Sequence, residues 1–341
     1  MARPRYLPDN FTLSLVATVV VASFLPCAGR TATAFEWLTN FAVGLLFFLH
    51  GAKLSRRALV DAITHWRLHL LIVGMTFVLF PLLGIALKPL LSPLVPQAMY
   101  VGVIFLCCLP STVQSSIALT SLAKGNVPAA VCAASASTLL GIFITPLWAS
   151  VLISSSLAGS GGASALDMLG KIVAQLLVPF AVGQLLRPRI GAWVDRHRGM
   201  LRSVDQGSLI LVVYTAFSAA VVEGLWRHVP LIALGGVIVV NAVLLGVALL
   251  CTGWLARRLG FSTADRITIM FCGSKKSLAS GVPMAKVMFA SQTVGMIVLP
   301  LMVFHQLQLM VCSIMAQRLG QRNLEDDDPQ ARGSRAVSQR P

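Results

Sequence analysis

The chain has 341 residues, of which 56% are hydrophobic and only 11% are charged. Soluble domains carry about 25% charged residues because their hydrated surfaces need them, so this composition excludes a water-soluble globule and predicts a lipid-covered exterior. The net charge of +15 would favour a nucleic-acid partner in a soluble protein, but we predict none, because the basic residues are divided among separate gaps between apolar segments.

Ten apolar segments follow one another along the chain, each near the length of about 20 residues that crosses the hydrocarbon core. They cover residues 11–28, 37–54, 68–88, 97–123, 127–152, 165–186, 205–223, 230–256, 264–290 and 292–318. Most of the 27 lysine and arginine residues lie in alternate gaps, a distribution typical of cytoplasmic loops. The even number of segments predicts a multi-pass protein of the cell membrane, embedded in the lipid bilayer, with both termini in the cytoplasm.

A linker of small residues divides the ten segments into two groups of five. Because five is odd, the second group starts from the opposite side of the membrane, which predicts an inverted repeat. The expected organisation is a cytoplasmic N-terminus (1–10), a first repeat (11–152), the linker (153–164), a second repeat (165–318) and a disordered cytoplasmic tail (319–341).

The fourth and ninth segments correspond in the two repeats, and both are expected to be interrupted near their centres. They contain Leu109-Pro-Ser-Thr-Val-Gln-Ser-Ser116 and Cys272-Gly-Ser-Lys-Lys-Ser-Leu-Ala-Ser-Gly281. A Pro or Gly beside hydroxyl residues lets a helix open at mid-membrane depth, where neighbouring side chains and cavity water bond the freed backbone groups. If the interruptions cross, half-helix N-termini supply N–H groups for an anion and C-termini supply carbonyls for a cation.

Lys275 and Lys276, near the centre of the ninth segment, are the leading functional candidates. Each lysine at a helix centre costs about 2.5–3.5 kcal/mol on insertion scales, and snorkelling does not remove that cost at the midplane. A structural ion pair between helices is one explanation. We expect instead that at least one ammonium faces a wet polar cavity used for transport, and only one unless the backbone unwinds, since adjacent side chains point about 100° apart.

Other polar side chains of the apolar segments are candidates for the same site. The cluster in the fourth segment consists of Ser111, Thr112, Gln114, Ser115 and Ser116. In the fifth, Ser135, Ser137 and Thr138 would add oxygens, although close helix packing through small residues explains them almost equally well. His305 is a candidate proton relay, the alternative being a packing residue satisfied by its neighbour Gln306. The sequence contains no hydrolase, zinc-protease, phosphate-loop or paired-carboxylate motif, so we predict no enzyme, no cofactor and no metal site.

At these residues the sequence resembles the bile acid:sodium symporter family, and more closely its SBF-like branch, which has paired lysines. The resemblance covers about residues 10–318 and rests on the segments 44–54, 110–116 and 273–283. It implies an all-α membrane protein of ten transmembrane helices in two five-helix inverted repeats, with core and panel domains and with broken helices 4 and 9 that cross. Related folds include the sodium/proton antiporters.

The resemblance also implies a secondary transporter of organic anions and assigns roles to individual residues. Crossing-site roles fall on Ser111 through Ser116, on Ser135 and Thr138, and on Ser274, Lys275, Lys276 and Ser277. Sodium-coupled members place a Glu and amide side chains in the ninth helix, and this chain departs from that pattern. A lysine ammonium would replace the cation as a fixed charge, carry a coupled proton, or attract the anionic group of the solute.

We therefore predict a symporter-like secondary transporter of a small organic anion, working by alternating access and coupled to sodium or protons. One alternative is a cation/proton antiporter in which Lys275 or Lys276 titrates. Another is a non-transporting membrane regulator that acts through the polar tail after Gly320. The sequence leaves the solute, the coupling ion and the oligomeric state open.

Overall fold

The computed structural model describes residues 10–53, 65–91, 95–157, 170, 173–228 and 230–327. All regular secondary structure within these residues is helical, which confirms the predicted all-α class. The first half contains α1 (Asn10–Phe24), α2 (Gly29–Lys53), α3 (Trp66–Ala86), α4 (Gln97–Cys108), α5 (Gln114–Leu122) and α6 (Val127–Leu157). The second half contains α7 (Val178–Arg196), α8 (Arg198–Val222), α9 (Leu231–Arg258), α10 (Thr263–Gly273), α11 (Leu278–Met288) and α12 (Ser291–Asp327). π-Helical turns lie at Met75–Leu79 within α3 and at Val173–Leu177 before α7, and one-turn helices at Lys88–Leu91 and Leu225–His228.

Six helical segments among the described residues are long and apolar enough to cross a membrane. They are Gly29–Lys53, Trp66–Ala86, Val127–Ile153, Arg198–Val222, Ile232–Arg258 and Thr293–Gln321. Large apolar side chains such as Trp37, Phe41 and Leu250 are more than two-thirds exposed on their outer faces, where lipid covers them. A multi-pass membrane protein is confirmed, while the count of ten spans in two inverted repeats stays a prediction.

Several helices extend beyond the apolar segments from which they were predicted. α2 begins at Gly29, eight residues before the predicted start, and so includes Glu36. α12 continues to Asp327, so residues 319–327 are helical where a disordered tail was expected. Leu, Gln, Arg and Glu in that stretch are good helix formers, which explains the extension. The first five residues of the predicted linker (153–157) continue α6. The described residues do not include the rest of the linker (158–164), nor residues 1–9 and 328–341.

Helices α1, α2, α7 and α8 pack together and are called the four-helix group here. α2 and α7 approach so closely that a Cβ at Gly183 would overlap the carbonyl of Phe48, and one at Gly51 the carbonyl of Phe180. Small residues allow such backbone contact between membrane helices. An ion pair between Lys53 and Asp205 also joins α2 to α8.

Helices α3–α6 and α9–α12 form the crossing group, with α4 at its centre. Every side chain from Met99 to Thr112 is buried, so α4 has no face towards lipid. The two groups meet chiefly where α8 packs against α11 and α12.

Both interruptions occur where the sequence places them. α4 ends at Cys108, and Leu109 is extended (φ −73°, ψ 154°) because the ring of Pro110 disfavours a helical residue before it. α10 ends at Gly273, and α11 restarts with Ser277 as its cap, whose Oγ accepts a hydrogen bond from the N–H of Ser280 at 3.1 Å. The segments 109–113 and 274–277 are called the crossing below.

Candidate functional site

The two segments of the crossing contact each other directly. The N–H of Ser277 donates to the carbonyl of Pro110 at 2.9 Å. The N–H of Ser111 donates to Oγ of Ser137 in α6 at 3.0 Å, and Oγ of Ser116 donates to the carbonyl of Phe271 at 3.3 Å. Backbone groups freed by the breaks are therefore bonded by neighbouring protein groups.

Lys276 is fully buried, and its ammonium is surrounded by carbonyl oxygens. Nζ donates to the carbonyls of Thr76 at 2.7 Å, Cys107 at 2.8 Å and Leu109 at 2.8 Å. The last two carbonyls lie at the C-terminal end of α4, where helix carbonyls are unpaired and carry partial negative charge. The carbonyl of Thr76 lies in the π-helical turn of α3. Lys276 thus occupies a cation position with all three N–H groups bonded, and its Nζ also lies 4.1 Å from the ring centroid of Phe80.

Gln308 of α12 holds the backbone of Lys276. Its Oε1 accepts from the N–H of Lys276, and its Nε2 donates to the carbonyl of Lys276, both at 2.9 Å. Nε2 also lies 2.9 Å from Nδ1 of His305, one turn earlier. Gln308 was not predicted from the sequence, although its spacing of three residues from His305 places both on one helix face. His305 therefore contacts the crossing through Gln308.

Lys275 is also fully buried, but its environment is different. Its Nζ has no hydrogen-bond partner among the described residues and lies 5.7 Å from the ring centroid of Phe271. The thiols of Cys272 and Cys312 are near enough to interact with it electrostatically. The two lysines point to separate surroundings, one saturated with acceptors and one without them. A buried unpaired polar group is costly, and such groups concentrate at functional sites.

The three ion pairs among the described residues include neither Lys275 nor Lys276. Neither ammonium is therefore held by a carboxylate among these residues. Both ammonium groups are enclosed in this structure, whereas the sequence suggested that at least one would face a wet cavity. Two cavities among the described residues lie away from the lysines, one beside Glu36 and one beside His65.

The hydroxyl cluster of the fourth segment assembles around Ser116. Oγ of Ser115 donates to Oγ1 of Thr112 at 2.9 Å, and Oγ of Ser116 lies 3.4 Å from Oγ1 of Thr112 and 3.5 Å from Oγ of Ser111. Ser111, Thr112 and Ser116 are buried. Gln114 is exposed at the start of α5, and its side chain makes no hydrogen bond to the cluster among the described residues.

The remaining candidates lie at the edge of the crossing. Thr138 bonds within its own helix, to the carbonyl of Ala134 at 3.0 Å, and Ser135 is half-buried one turn from it. Their neighbour Ser137 is the residue that reaches the crossing, through the N–H of Ser111. Ser274 also bonds within its own helix, to the carbonyl of Met270 at 2.6 Å.

A helical membrane protein with two interrupted helices in contact, and with buried cations at the contact, has the features of a secondary transporter. The chain matches the model of the SBF-like CPA transporter family over residues 9–321 and belongs to that family. The predicted resemblance to the bile acid:sodium symporters is thereby confirmed. The protein is a membrane transporter of that family, and its relatives are transporters rather than enzymes.

Relatives match the chain along almost its whole length. The uncharacterized protein PA2026 of Pseudomonas aeruginosa is 65% identical over 322 residues, covering 94% of this chain and 96% of the relative. YfeH of Escherichia coli, provisionally named a symporter, is 52% identical over 310 residues, which cover 91% of this chain and 92% of the relative. Sodium/bile acid cotransporter 7-B of Xenopus laevis is 27% identical, with 91% of each chain covered.

Proposed function

We propose that the protein is a symporter-like secondary transporter that moves a small organic anion across the cell membrane by alternating access. In this proposal the four-helix group moves relative to the crossing group, the ten segments form two inverted repeats, and both termini face the cytoplasm. The observation that carries the proposal is the buried ammonium of Lys275, which has no hydrogen-bond partner among the described residues. Ionisable groups at this depth are rare and commonly mark a transport pathway.

An anion is the ligand that complements Lys275. Phe271 connects the ammonium to the hydroxyl cluster at the N-terminal end of α5. Its carbonyl accepts from Oγ of Ser116 at 3.3 Å, and Nζ of Lys275 lies 5.7 Å from its ring centroid. Hydroxyl groups and an ammonium together favour a carboxylate or sulfonate. The names of the vertebrate relatives, which are sodium/bile acid cotransporters, support the same class of solute.

The position of Lys276 helps to identify the ion to which transport is coupled. Its ammonium already fills the position formed by the carbonyls of Thr76, Cys107 and Leu109, which would otherwise attract a free cation. We propose that Lys276 is a tethered substitute for that cation and that transport is coupled to protons. In this proposal the anion and the proton enter together, so the net charge of the enclosed site is the same before and after the solute binds.

Purified protein in proteoliposomes tests both parts of this proposal. Uptake of labelled taurocholate and succinate is measured with an inward proton gradient in choline buffer, and with an inward sodium gradient at equal pH. We expect the proton gradient alone to accelerate uptake of at least one of the two anions. Acceleration by sodium alone would overturn the coupling, and no uptake of either anion under both gradients would argue against the solute class.

A cation/proton antiporter is the second candidate, because an enclosed lysine without a partner is also suited to exchanging a proton. It predicts a pH-sensitive dye response to added sodium or potassium without any organic anion. The carbonyl position filled by Lys276 argues against it, since the exchanged cation would lack that site.

A further inference from the structure

A third buried lysine lies outside the crossing, near the C-terminal end of α11. The side chain of Lys286 is 4% exposed, and its Nζ donates to Oε1 of Glu36 at 3.1 Å and to Oγ of Ser291 at 2.8 Å. Oγ of Ser291 in turn donates to the same Glu36 oxygen at 3.2 Å. Neither Glu36 nor Lys286 was singled out from the sequence. Glu36 precedes the apolar segment from which α2 was predicted, so it was not assigned to a helix.

This ion pair connects the two groups of helices. Glu36 belongs to α2 of the four-helix group, and Lys286 to α11 of the crossing group. The other two ion pairs among the described residues, Lys53 with Asp205 and Arg198 with Asp195, lie within the four-helix group. Relative movement of the two groups therefore has to stretch or break the pair of Glu36 and Lys286.

A small cavity of about 60 Å³ adjoins the pair. Its lining includes Glu36, Lys286 and Ser291, together with Thr215 of α8 and Cys27 in the connection between α1 and α2. An ammonium has three N–H groups, and two of those of Lys286 are bonded. The third has no acceptor among the described residues. The cavity accommodates a carboxylate or sulfonate group but not a whole organic solute.

We propose that Lys286 and Ser291 form a second anion site, which receives the anionic group of the solute before the solute reaches the crossing. This inference rests on the proposed function. An anion in the cavity lies next to the carboxylate of Glu36, and like charges repel. The arriving anion displaces Glu36 from Lys286 and so releases the contact between the two groups of helices. Glu36 is suited to leaving, because 49% of its side chain is already exposed to the surroundings.

Cys27 provides a reporter, since it lines the cavity and is partly exposed. The full chain in proteoliposomes is treated with a membrane-impermeant maleimide, and labelling of Cys27 is measured by mass spectrometry. Glu36→Gln removes the ion pair, and we expect it to raise the labelling rate of Cys27 at least threefold without any solute. Asp205→Asn, which breaks an ion pair within the four-helix group, is the matched control and is expected to label as the wild type does.

The anion site is tested in the same assay. We expect taurocholate or succinate to raise Cys27 labelling in the wild type and in Lys275→Ala, but not in Lys286→Gln. An unchanged rate in Glu36→Gln, or an equal rise in Asp205→Asn, would overturn the gate. A wild type unaffected by both anions, or a response retained in Lys286→Gln, would overturn the anion site. The labelling of Glu36→Gln is measured without any solute, so it does not depend on which solute is transported. The labelling of Lys275→Ala does not depend on transport activity. Both outcomes are therefore distinguishable from failure of the proposed function.

Discussion

The side chain of Gln308 bonds to both backbone groups of Lys276, accepting from its N–H and donating to its carbonyl, each at 2.9 Å. An amide side chain thus replaces the hydrogen bonds that a continuous helix would supply at this residue. The break is held in one conformation, and the ammonium of Lys276 is directed at the end of α4.

Replacing Gln308 by leucine keeps the side-chain size but leaves two buried backbone groups unbonded. Each such group costs about 1–3 kcal/mol, so we expect Gln308→Leu to destabilise the protein by about 2–6 kcal/mol. Thermal unfolding in detergent measures the loss. Gln321→Leu, at an exposed position of the same helix, serves as the control. Equal melting temperatures for the two variants would contradict the role of Gln308.

Lys276→Ala removes the tethered cation and leaves the three carbonyls without a donor. We expect a lower melting temperature in choline chloride and partial recovery in sodium chloride, because a free cation that binds the folded state stabilises it. The wild type should melt at the same temperature in both salts. Lys276→Met, whose side chain fills the space, should be destabilised without recovery. If sodium has no effect on Lys276→Ala, Lys276 does not occupy a cation position.

Lys275→Met should have the opposite effect on stability. The substitution removes an ammonium that has no hydrogen-bond partner among the described residues, so we expect stability to rise by about 1–3 kcal/mol, the cost of one unsatisfied buried group. Unfolding in detergent compares Lys275→Met with Lys276→Met. A loss of stability in both variants would show that Lys275 is a structural residue.

The packing of α2 on α7 predicts a contrast between two glycines. Gly183→Ala brings a Cβ against the carbonyl of Phe48 and should destabilise the protein by about 2 kcal/mol or more, because the overlapping atom is backbone. At Gly44 a Cβ would lie 4.0 Å from Cγ of Pro179, an ordinary contact. Gly44→Ala should be neutral or gain up to about 1 kcal/mol from helix propensity. Similar melting temperatures for both variants would contradict the close approach.

The types of residue near positions 110 and 276 made the two helix breaks predictable from the sequence. The hydrogen-bond partners of the buried lysines were not predictable. Pro110 and the small polar residues around Lys276 indicate where a helix opens, and both breaks are found there. The acceptors of Lys276 are backbone carbonyls, one of them 200 residues away, and a carbonyl leaves no signal in the sequence. Glu36 was missed because a helix continues past its apolar part into the headgroup region, where hydropathy falls.

The central claim is that the unpartnered ammonium of Lys275 serves transport, and uptake by Lys275→Met tests it most directly. Wild type and variant are reconstituted at equal density, and initial uptake of labelled taurocholate and succinate is measured under an inward proton gradient. We predict that uptake by the variant falls to the level of empty liposomes although the folded protein is at least as stable as the wild type. Uptake at the wild-type rate would contradict the claim.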